Sequence, residues 1–463
     1  MKEVCEKEGI SIVEATYRWM AFHSMLNETR GDGLIMGFSR FSQLQQNIEA
    51  IKQGGYLKLL FLLFQELGNY ANLMRQSILH TTKANNTDIM NIEFFILELE
   101  KNNITFFTGV PDSYLNGFNN YLKTNVPVER NIITANEGNA IAFASGYYFA
   151  TGNIPVVYMQ NSGLGNCINP LLSLSDKHVY SVPMILLIGW RGEPGTKDSE
   201  REQHTMQGRI SGKMLDDMEI PYKVLSEETV ANDITYLVSK AQERSAPVAL
   251  LVPNGVLTEK KKNNPDDCYP MSREEAIATV MDNMPCDTIY SATTGRATRE
   301  LYAQREIRGE SHAFDFLNIG SMGHASSVAM GIALFKPERK VVCLDGDAAI
   351  LMHMGVMAMV SKMDIPNFMH VVLNNGAHES VGGQPSVGHI INFTGIAESC
   401  GYFTIGHPAT NAEELAVAVK QCLGSGRPSF IDARIHSGIR SDLQSIDMSS
   451  HEMIHLLKQE LNK

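Results

Sequence analysis

The sequence predicts an α/β protein: two successive halves, each a parallel sheet covered by helices, behind a mostly helical N-terminal extension. Two observations carry this reading. Short, largely apolar runs, among them Val156–Met159, Pro183–Ile188, Val341–Leu344 and His370–Leu373, recur along the chain. Such runs read as strands buried on both faces. Between them lie stretches with helical spacing of apolar residues, and strands alternating with helices give parallel sheets. A polar stretch from Lys260 to Asp267, with Pro265 inside it, parts the two series.

The elements follow in order. Helical spacing from Thr87 to Lys101 predicts a helix, and Ile104–Phe107 a buried strand leading to the turn Gly109-Val110-Pro111-Asp112. Ile132–Ala135 reads as a strand, and Glu137–Ala150 as a helix of Ala, Ser and Gly. Strands at Val156–Met159, Pro183–Ile188 and Pro247–Val252 complete the first half, residues 86–259. Ser226, with Glu227 and Glu228 behind it, is expected to cap a further helix. Residues 260–270 form the linker. The second half, 271–463, opens at Ser272, whose spacing to Glu275 fits a capping box. Its strands are expected at Thr288–Ala292, Phe314–Ile319, Val341–Leu344, His370–Leu373 and Ser429–Ala433, with a helix from Asn411 to Leu423. Residues 1–85 break this rhythm. They read as a helix, a Gly-containing turn at 30–33, a short strand at 34–36 and one or two more helices.

Composition narrows the function classes. Of 463 residues, 44% are hydrophobic, enough for two sizeable cores without staples. With 39 Lys and Arg against 51 Asp and Glu, the net charge is −12. No long basic run stands out, so neither nucleic acid nor an anionic membrane surface is an expected partner. The seven cysteines are dispersed and form no C-x-x-C pair. That suggests reduced thiols and a cytoplasmic protein, not a zinc module. The first residues mix charges, so no signal peptide is expected. Leu59–Phe64 is far shorter than the roughly 20 residues a membrane helix needs.

The chemistry concentrates at strand ends. Asp347 follows a buried strand, with Gly346 allowing a tight turn. Asn375 lies 28 positions later, at the end of the next strand. Neighbouring parallel strands bring their carboxyl ends to one edge, where ligands bind. The Asp347 carboxylate, the Asn375 amide oxygen and the Ala377 carbonyl are hard donors suited to a Mg²⁺ that bridges to a phosphate. Upstream, Gly320-Ser321-Met322-Gly323-His324-Ala325 stands before an alanine-rich helix whose free N–H groups suit a diphosphate. Glu137 stands where a strand becomes a helix, among small residues. A carboxyl there is expected to have a raised pKa and to share a proton with a ligand nitrogen. Read singly, each residue also fits a structural role: Asp347 and Glu137 as helix-start charges, Met322 as core packing.

Gly346-Asp347-Ala348, then 25 residues, then Asn374-Asn375, resembles the thiamine-diphosphate signature. Its third position is normally Gly, and Ala348 departs from it. Residues 88–440 as a whole resemble the phosphonopyruvate and sulfopyruvate decarboxylases, 2-oxo acid decarboxylases that use this cofactor. The marks are Thr108–Ser113, Asn161–Asn166, Gly189–Gly195, Gly320–Ser327 and Asn374–Gln384. The resemblance implies a pyrimidine-binding first half and a diphosphate-binding second half. It implies Glu137 as the acid on the aminopyrimidine, and Met322 as the prop for a bent cofactor. Thr294, Gly295, Ser321, Gly323, Gly346, Asp347, Ala348 and Asn375 would hold the diphosphate, with Asp347, Asn375 and Ala377 as the Mg²⁺ ligands. Asp112, His204 and His378 are candidate proton carriers or substrate contacts, and Arg191, Lys197 and Arg209 candidate phosphonate donors. The implied reaction turns 3-phosphonopyruvate into phosphonoacetaldehyde and CO₂, on the way to 2-aminoethylphosphonate. The implied assembly is a homodimer or higher homo-oligomer with sites between subunits. A sulfopyruvate decarboxylase is the alternative, and a non-catalytic subunit of the same fold the alternative of another class. Residues 1–55 separately resemble the C-terminal end of an aldo-keto reductase, through Gly31–Arg40, Gln43, Leu44 and Asn47.

Overall fold

The structure is a computed structural model that describes residues 90–257 and 268–463. The extension with its reductase-like segment, and all but the last three residues of the expected linker, lie outside the described residues.

The first half is a six-stranded sheet of order β2-β1-β3-β4-β6-β5, with every pair parallel. Its strands are β1 (Phe107–Gly109), β2 (Asn131–Ile133), β3 (Val156–Gln160), β4 (Ile185–Gly189), β5 (Tyr222–Val224) and β6 (Val248–Val252). The helices that cover it are α1 (Ile92–Lys101), α2 (Asn116–Asn125), α3 (Glu137–Thr151), α4 (Leu164–Pro170), α5 (Glu202–Asp217) and α6 (Val230–Arg244). Successive strand residues point to opposite faces. Val156 and Tyr158 therefore join one apolar cluster, while Val157 and Met159 join the other.

The second half is a five-stranded parallel sheet of order β13-β10-β9-β7-β8. In chain order its elements are α7 (Arg273–Asp282), β7 (Ile289–Ala292), α8 (Arg296–Arg308), β8 (Asp315–Leu317), α9 (Ala325–Phe335), β9 (Val341–Gly346), α10 (Asp347–Met352) and β10 (Phe368–Asn374). A small antiparallel pair follows, β11 (Ala377–His378) with β12 (Gln384–Pro385). Then come α11 (Phe393–Ser399), α12 (Ala412–Gly424), β13 (Ser429–Arg434) and α13 (Ser450–Leu461). Apolar clusters again line both faces of this sheet.

Capping chemistry sets several helix starts. Ser272 and Glu275 form the expected capping box at α7. The Asn136 side chain caps α3 by accepting from Asn139 N at 2.9 Å. Some expectations need correction. Ser226 does not cap α6, which begins four residues later at Val230. Its hydroxyl instead meets that of Thr229 at 2.8 Å. The first strand pairs only from Phe107 onward, because Ile104 N still donates to Leu99 O and closes the end of α1. The short edge strand β5 and helix α13, which carries its own capping box from Ser449 and Glu452, extend the expected set.

In the second sheet the chain runs from β7 outward to β8, then returns past β7 to β9. The carboxyl ends of β7 and β9 thus flank a topological switch point, where open α/β sheets bind ligands. Thr293 and Gly346 stand there side by side, and Thr293 N donates to Leu344 O at 2.9 Å.

Candidate active site

Glu137 opens α3 directly beyond β2 and is 1% exposed. Its Oε2 accepts from Asn166 Nδ2 at 2.7 Å. Its Oε1 is buried and has no hydrogen-bond partner among the described residues. Burial pushes the carboxyl pKa above its ordinary value, against the bond from Asn166. Gly163 lies against it: a Cβ there would sit 2.5 Å from the Glu137 Cγ. A dry carboxyl with one oxygen left unpaired, which favours holding a proton, fits a ligand ring nitrogen.

Asp347 begins α10 at the switch point and is 2% exposed. Its Oδ2 accepts a short hydrogen bond from Ser386 Oγ, and the backbone N–H groups of Ala348 and Asn375 point at the carboxylate. Those donors do not offset desolvation, which pushes the pKa up to about 6. No Lys, Arg or His among the described residues is ion-paired with it. A buried carboxylate without a cation fits a divalent metal ion. Asn375 Oδ1 accepts from Ala377 N at 3.1 Å, and Asn375 Nδ2 donates to Glu379 Oε2 at 3.0 Å. The Asp347 carboxylate and the Asn375–Ala377 turn therefore lie side by side.

The glycine-rich turn joins them. Gly323 has φ 76°, and a Cβ on it would meet Ala349 O and the Met352 Cβ, both at 2.9 Å. The Ser321–Gly323 turn thus packs on the helix that Asp347 starts, with Met322 half-buried between turn and solvent. Gly295 has φ 109° and caps α8 immediately after Thr294, which is also half-buried. Ala348 occupies the usual glycine position of the signature inside α10. The helix needs no positive φ there, so the departure carries no strain.

The two halves meet within one chain. Asn136 Nδ2, beside Glu137, donates to Met352 O at 2.9 Å, and Gln384 Nε2 donates to Asn120 Oδ1 at 3.2 Å. Between them lies a cavity of about 430 Å³, lined from the first half by Ile133, Thr134 and Ala135 and from the second by Ala348, His378 and Ser386. Ala348, next to Asp347, and Ala135, two residues before Glu137, are part of its wall, but neither carboxylate is. Desolvation lowers the His378 pKa to about 4, so its imidazole is neutral at physiological pH.

Asp112 and His204 belong to a different cluster. Asp112 is fully buried; its Oδ1 accepts from Gln160 Nε2 at 2.7 Å and Arg191 Nε at 3.0 Å, and its Oδ2 from Tyr114 N at 2.7 Å. Arg191 also reaches Ser113 Oγ and lies over the Tyr114 ring. His204 stands near Asp198 in the first turn of α5, and burial lowers its pKa. Arg209 is exposed, with Nη2 against Met206 Sδ at 3.1 Å. Sequence reasoning missed Gly163 and Asn166 as supports of Glu137, Ser386 on Asp347 and Glu379 on Asn375. These contacts join residues brought together only by the fold, apart from Glu379, which lies one helical turn beyond Asn375.

Comparison with known proteins identifies the family. A family described as thiamine pyrophosphate enzyme, N-terminal TPP binding domain, matches residues 92–219, and the corresponding C-terminal TPP binding domain matches residues 293–433. Phosphonopyruvate decarboxylase of Streptomyces viridochromogenes is 32% identical over 72% of this chain and 86% of its own length. The enzyme of that name from Streptomyces hygroscopicus is 30% identical over 76% of this chain and 88% of its length. Sulfopyruvate decarboxylase of Methanosarcina acetivorans is 26% identical over 70% and 87%. The chain therefore belongs to the thiamine-diphosphate-dependent decarboxylase family that includes phosphonopyruvate decarboxylase: it is a carboxy-lyase whose cofactor is thiamine diphosphate, which enzymes of this kind typically use alongside Mg²⁺.

Proposed function

We propose that this enzyme decarboxylates 3-phosphonopyruvate to phosphonoacetaldehyde and CO₂, a step towards 2-aminoethylphosphonate. The observation that carries the reading is a buried, half-satisfied Glu137 in the first half together with a buried Asp347 in the second that has no cation beside it. The choice of phosphonate rests on the two Streptomyces relatives, which match 72% and 76% of this chain at 32% and 30% identity, against 26% for the Methanosarcina sulfopyruvate enzyme; sulfopyruvate decarboxylase subunits reach 37% identity but over no more than 40% of the chain.

In this reading residues 86–259 bind the pyrimidine, residues 271–463 bind the diphosphate, and 260–270 link them. When bound, thiamine diphosphate supplies the sink for the electron pair released as CO₂ departs. Glu137 Oε1 holds a proton in a water-poor site and offers it to the pyrimidine nitrogen. Asp347, Asn375 Oδ1 and Ala377 O would hold Mg²⁺, which would supply charge neutralisation for the diphosphate. Thr294, Gly295, Ser321, Gly323, Gly346 and Ala348 would hold the diphosphate, and Met322 would pack against the cofactor. His378, neutral in the cavity wall, serves as a proton carrier. Asp112, which fixes Arg191, and His204 beside that pair are the proton carriers or substrate contacts of this cluster.

We assign a homodimer or higher homo-oligomer, supported by exposed apolar side chains on one side of the first half: Phe143, Phe149, Ile168, Leu172, Val179 and Tyr180. Light scattering should show at least two copies; a fully active monomer would refute this. No helix among the described residues is long and apolar enough to cross a membrane. The free cysteines support a cytoplasmic location.

The deciding assay measures CO₂ release with Mg²⁺ and cofactor from 3-phosphonopyruvate and from sulfopyruvate side by side. The phosphonate should have the higher kcat/KM. The reverse order would make this a sulfopyruvate decarboxylase, and no release from either would favour a non-catalytic subunit.

A further inference from the structure

A side-chain amide has an oxygen and a nitrogen of nearly equal size, so only its partners decide which way it faces. At Asn375 both partners speak for one orientation. The Glu379 carboxylate, when ionised, can only accept, and it takes Nδ2 at 3.0 Å. The Ala377 N–H can only donate, and it takes Oδ1 at 3.1 Å. The amide oxygen is thereby turned away from Glu379 and towards its own turn, whose backbone N–H at Asn375 also bonds Asp347.

Glu379 is itself held from several directions. Arg273 Nη1 reaches its Oε2 at 2.7 Å, Gly438 N donates to its Oε1 at 2.5 Å, and Arg296 Nη1 pairs closely with the same oxygen. Arg273 is in turn fixed by Glu300 at 2.7 and 3.1 Å and by Gly438 O at 3.0 Å. Two arginines against two glutamates leave this nearly buried cluster neutral. Arg296, one residue beyond Thr294-Gly295, is committed to Glu379, and Gly295 packs on Ser380 next to it, with a Cβ there only 2.8 Å from the hydroxyl oxygen.

We propose that Glu379 is a positioning residue of the metal clamp: it sets the Asn375 amide so that Oδ1, not Nδ2, faces the cation. The proposal rests on the reading of Asp347 and Asn375 as the site of Mg²⁺ and the diphosphate. Residues that orient metal ligands are generally worth 10- to 100-fold in metal affinity. A glutamate that only braced the fold would change stability and leave ligand chemistry alone.

The test is a swap of donor and acceptor, read by calorimetric titration of thiamine diphosphate into the metal-free full-length protein with added Mg²⁺. Glu379→Gln can donate as well as accept, so the amide is no longer fixed, and affinity should fall at least tenfold. Asn375→Asp sets two carboxylates against each other and should bind still more weakly. Asn375→Asp/Glu379→Gln restores a donor facing an acceptor, with the carboxylate now on the metal side. It should bind at least tenfold more tightly than Asn375→Asp, a comparison that holds even if Glu379→Gln alone fails to fold. Wild-type affinity in Glu379→Gln overturns the proposal, as does a double variant no better than Asn375→Asp. Asp347→Ala separates the two levels. If it also keeps wild-type Mg²⁺-dependent affinity, the metal site itself is misplaced; if only the Glu379 variants are silent, this inference alone fails.

Discussion

Replacing Glu137 by glutamine should lower decarboxylation by about 10²- to 10⁴-fold, the usual worth of a positioned acid or base, with thiamine diphosphate still bound. Glutamine keeps the shape and a hydrogen bond to Asn166 but has no exchangeable acid proton. Burial and the unpaired Oε1 are what make the native group an acid here. Gly163→Ala should reach a similar loss by a different route. Its Cβ would press to 2.5 Å from the Glu137 Cγ and displace the carboxyl without altering its chemistry. Steady-state CO₂ release with calorimetric cofactor binding checks both. Wild-type turnover in Glu137→Gln would remove this residue from the mechanism.

Asp347→Asn should stabilise the metal-free protein and abolish its Mg²⁺-dependent cofactor binding. The native pKa is raised from 3.8 to about 6 by burial. The folded state therefore binds more protons than the unfolded chain across that interval, so stability falls as pH rises through it. At neutral pH the cost is about 3 kcal/mol, taking 1.36 kcal/mol per unit. A cation recovers it by pairing with the charge; an amide never incurs it, and the Ser386 hydroxyl can turn to accept from the new NH₂. Thermal melts at pH 7.5, with and without Mg²⁺, should show the wild type rising with metal and the variant high and indifferent to it. A destabilised Asp347→Asn, or one that still binds cofactor in a Mg²⁺-dependent way, would contradict the assignment.

The parts of this site legible in the sequence are those whose chemistry is local. Asp347 and Asn375 each follow a buried strand, and parallel strands must bring such positions to one edge. Glu137 was visible because a carboxylate among Ala, Gly and Asn at a helix start has few other neighbours. Glu379 was hidden. In sequence it is an ordinary charge between His378 and Ser380, while its partners Arg273 and Gly438 stand 106 and 59 positions away. Ser386 lies 39 positions from Asp347 and is reached only through the β11–β12 pair. The misplaced cap at Ser226 has a related cause. Its hydroxyl had a second partner in the Thr229 hydroxyl, and helix propensity alone does not choose between them. Edge strand β5 escaped because Tyr222–Val224 carries Lys223 outward and shows no apolar run.

The polar contacts joining the two sheets include Asn136 with Met352, Asn120 with Gln384 and Glu202 with Ser450. On the proposed reading, a cofactor held by Glu137 at one end and Asp347 at the other would act as mortar as well as reagent. At a thousandfold excess over its dissociation constant, such a guest adds about 4 kcal/mol to the folded form. Vitamin supply would thus set how firmly the protein holds together as well as how fast it turns over.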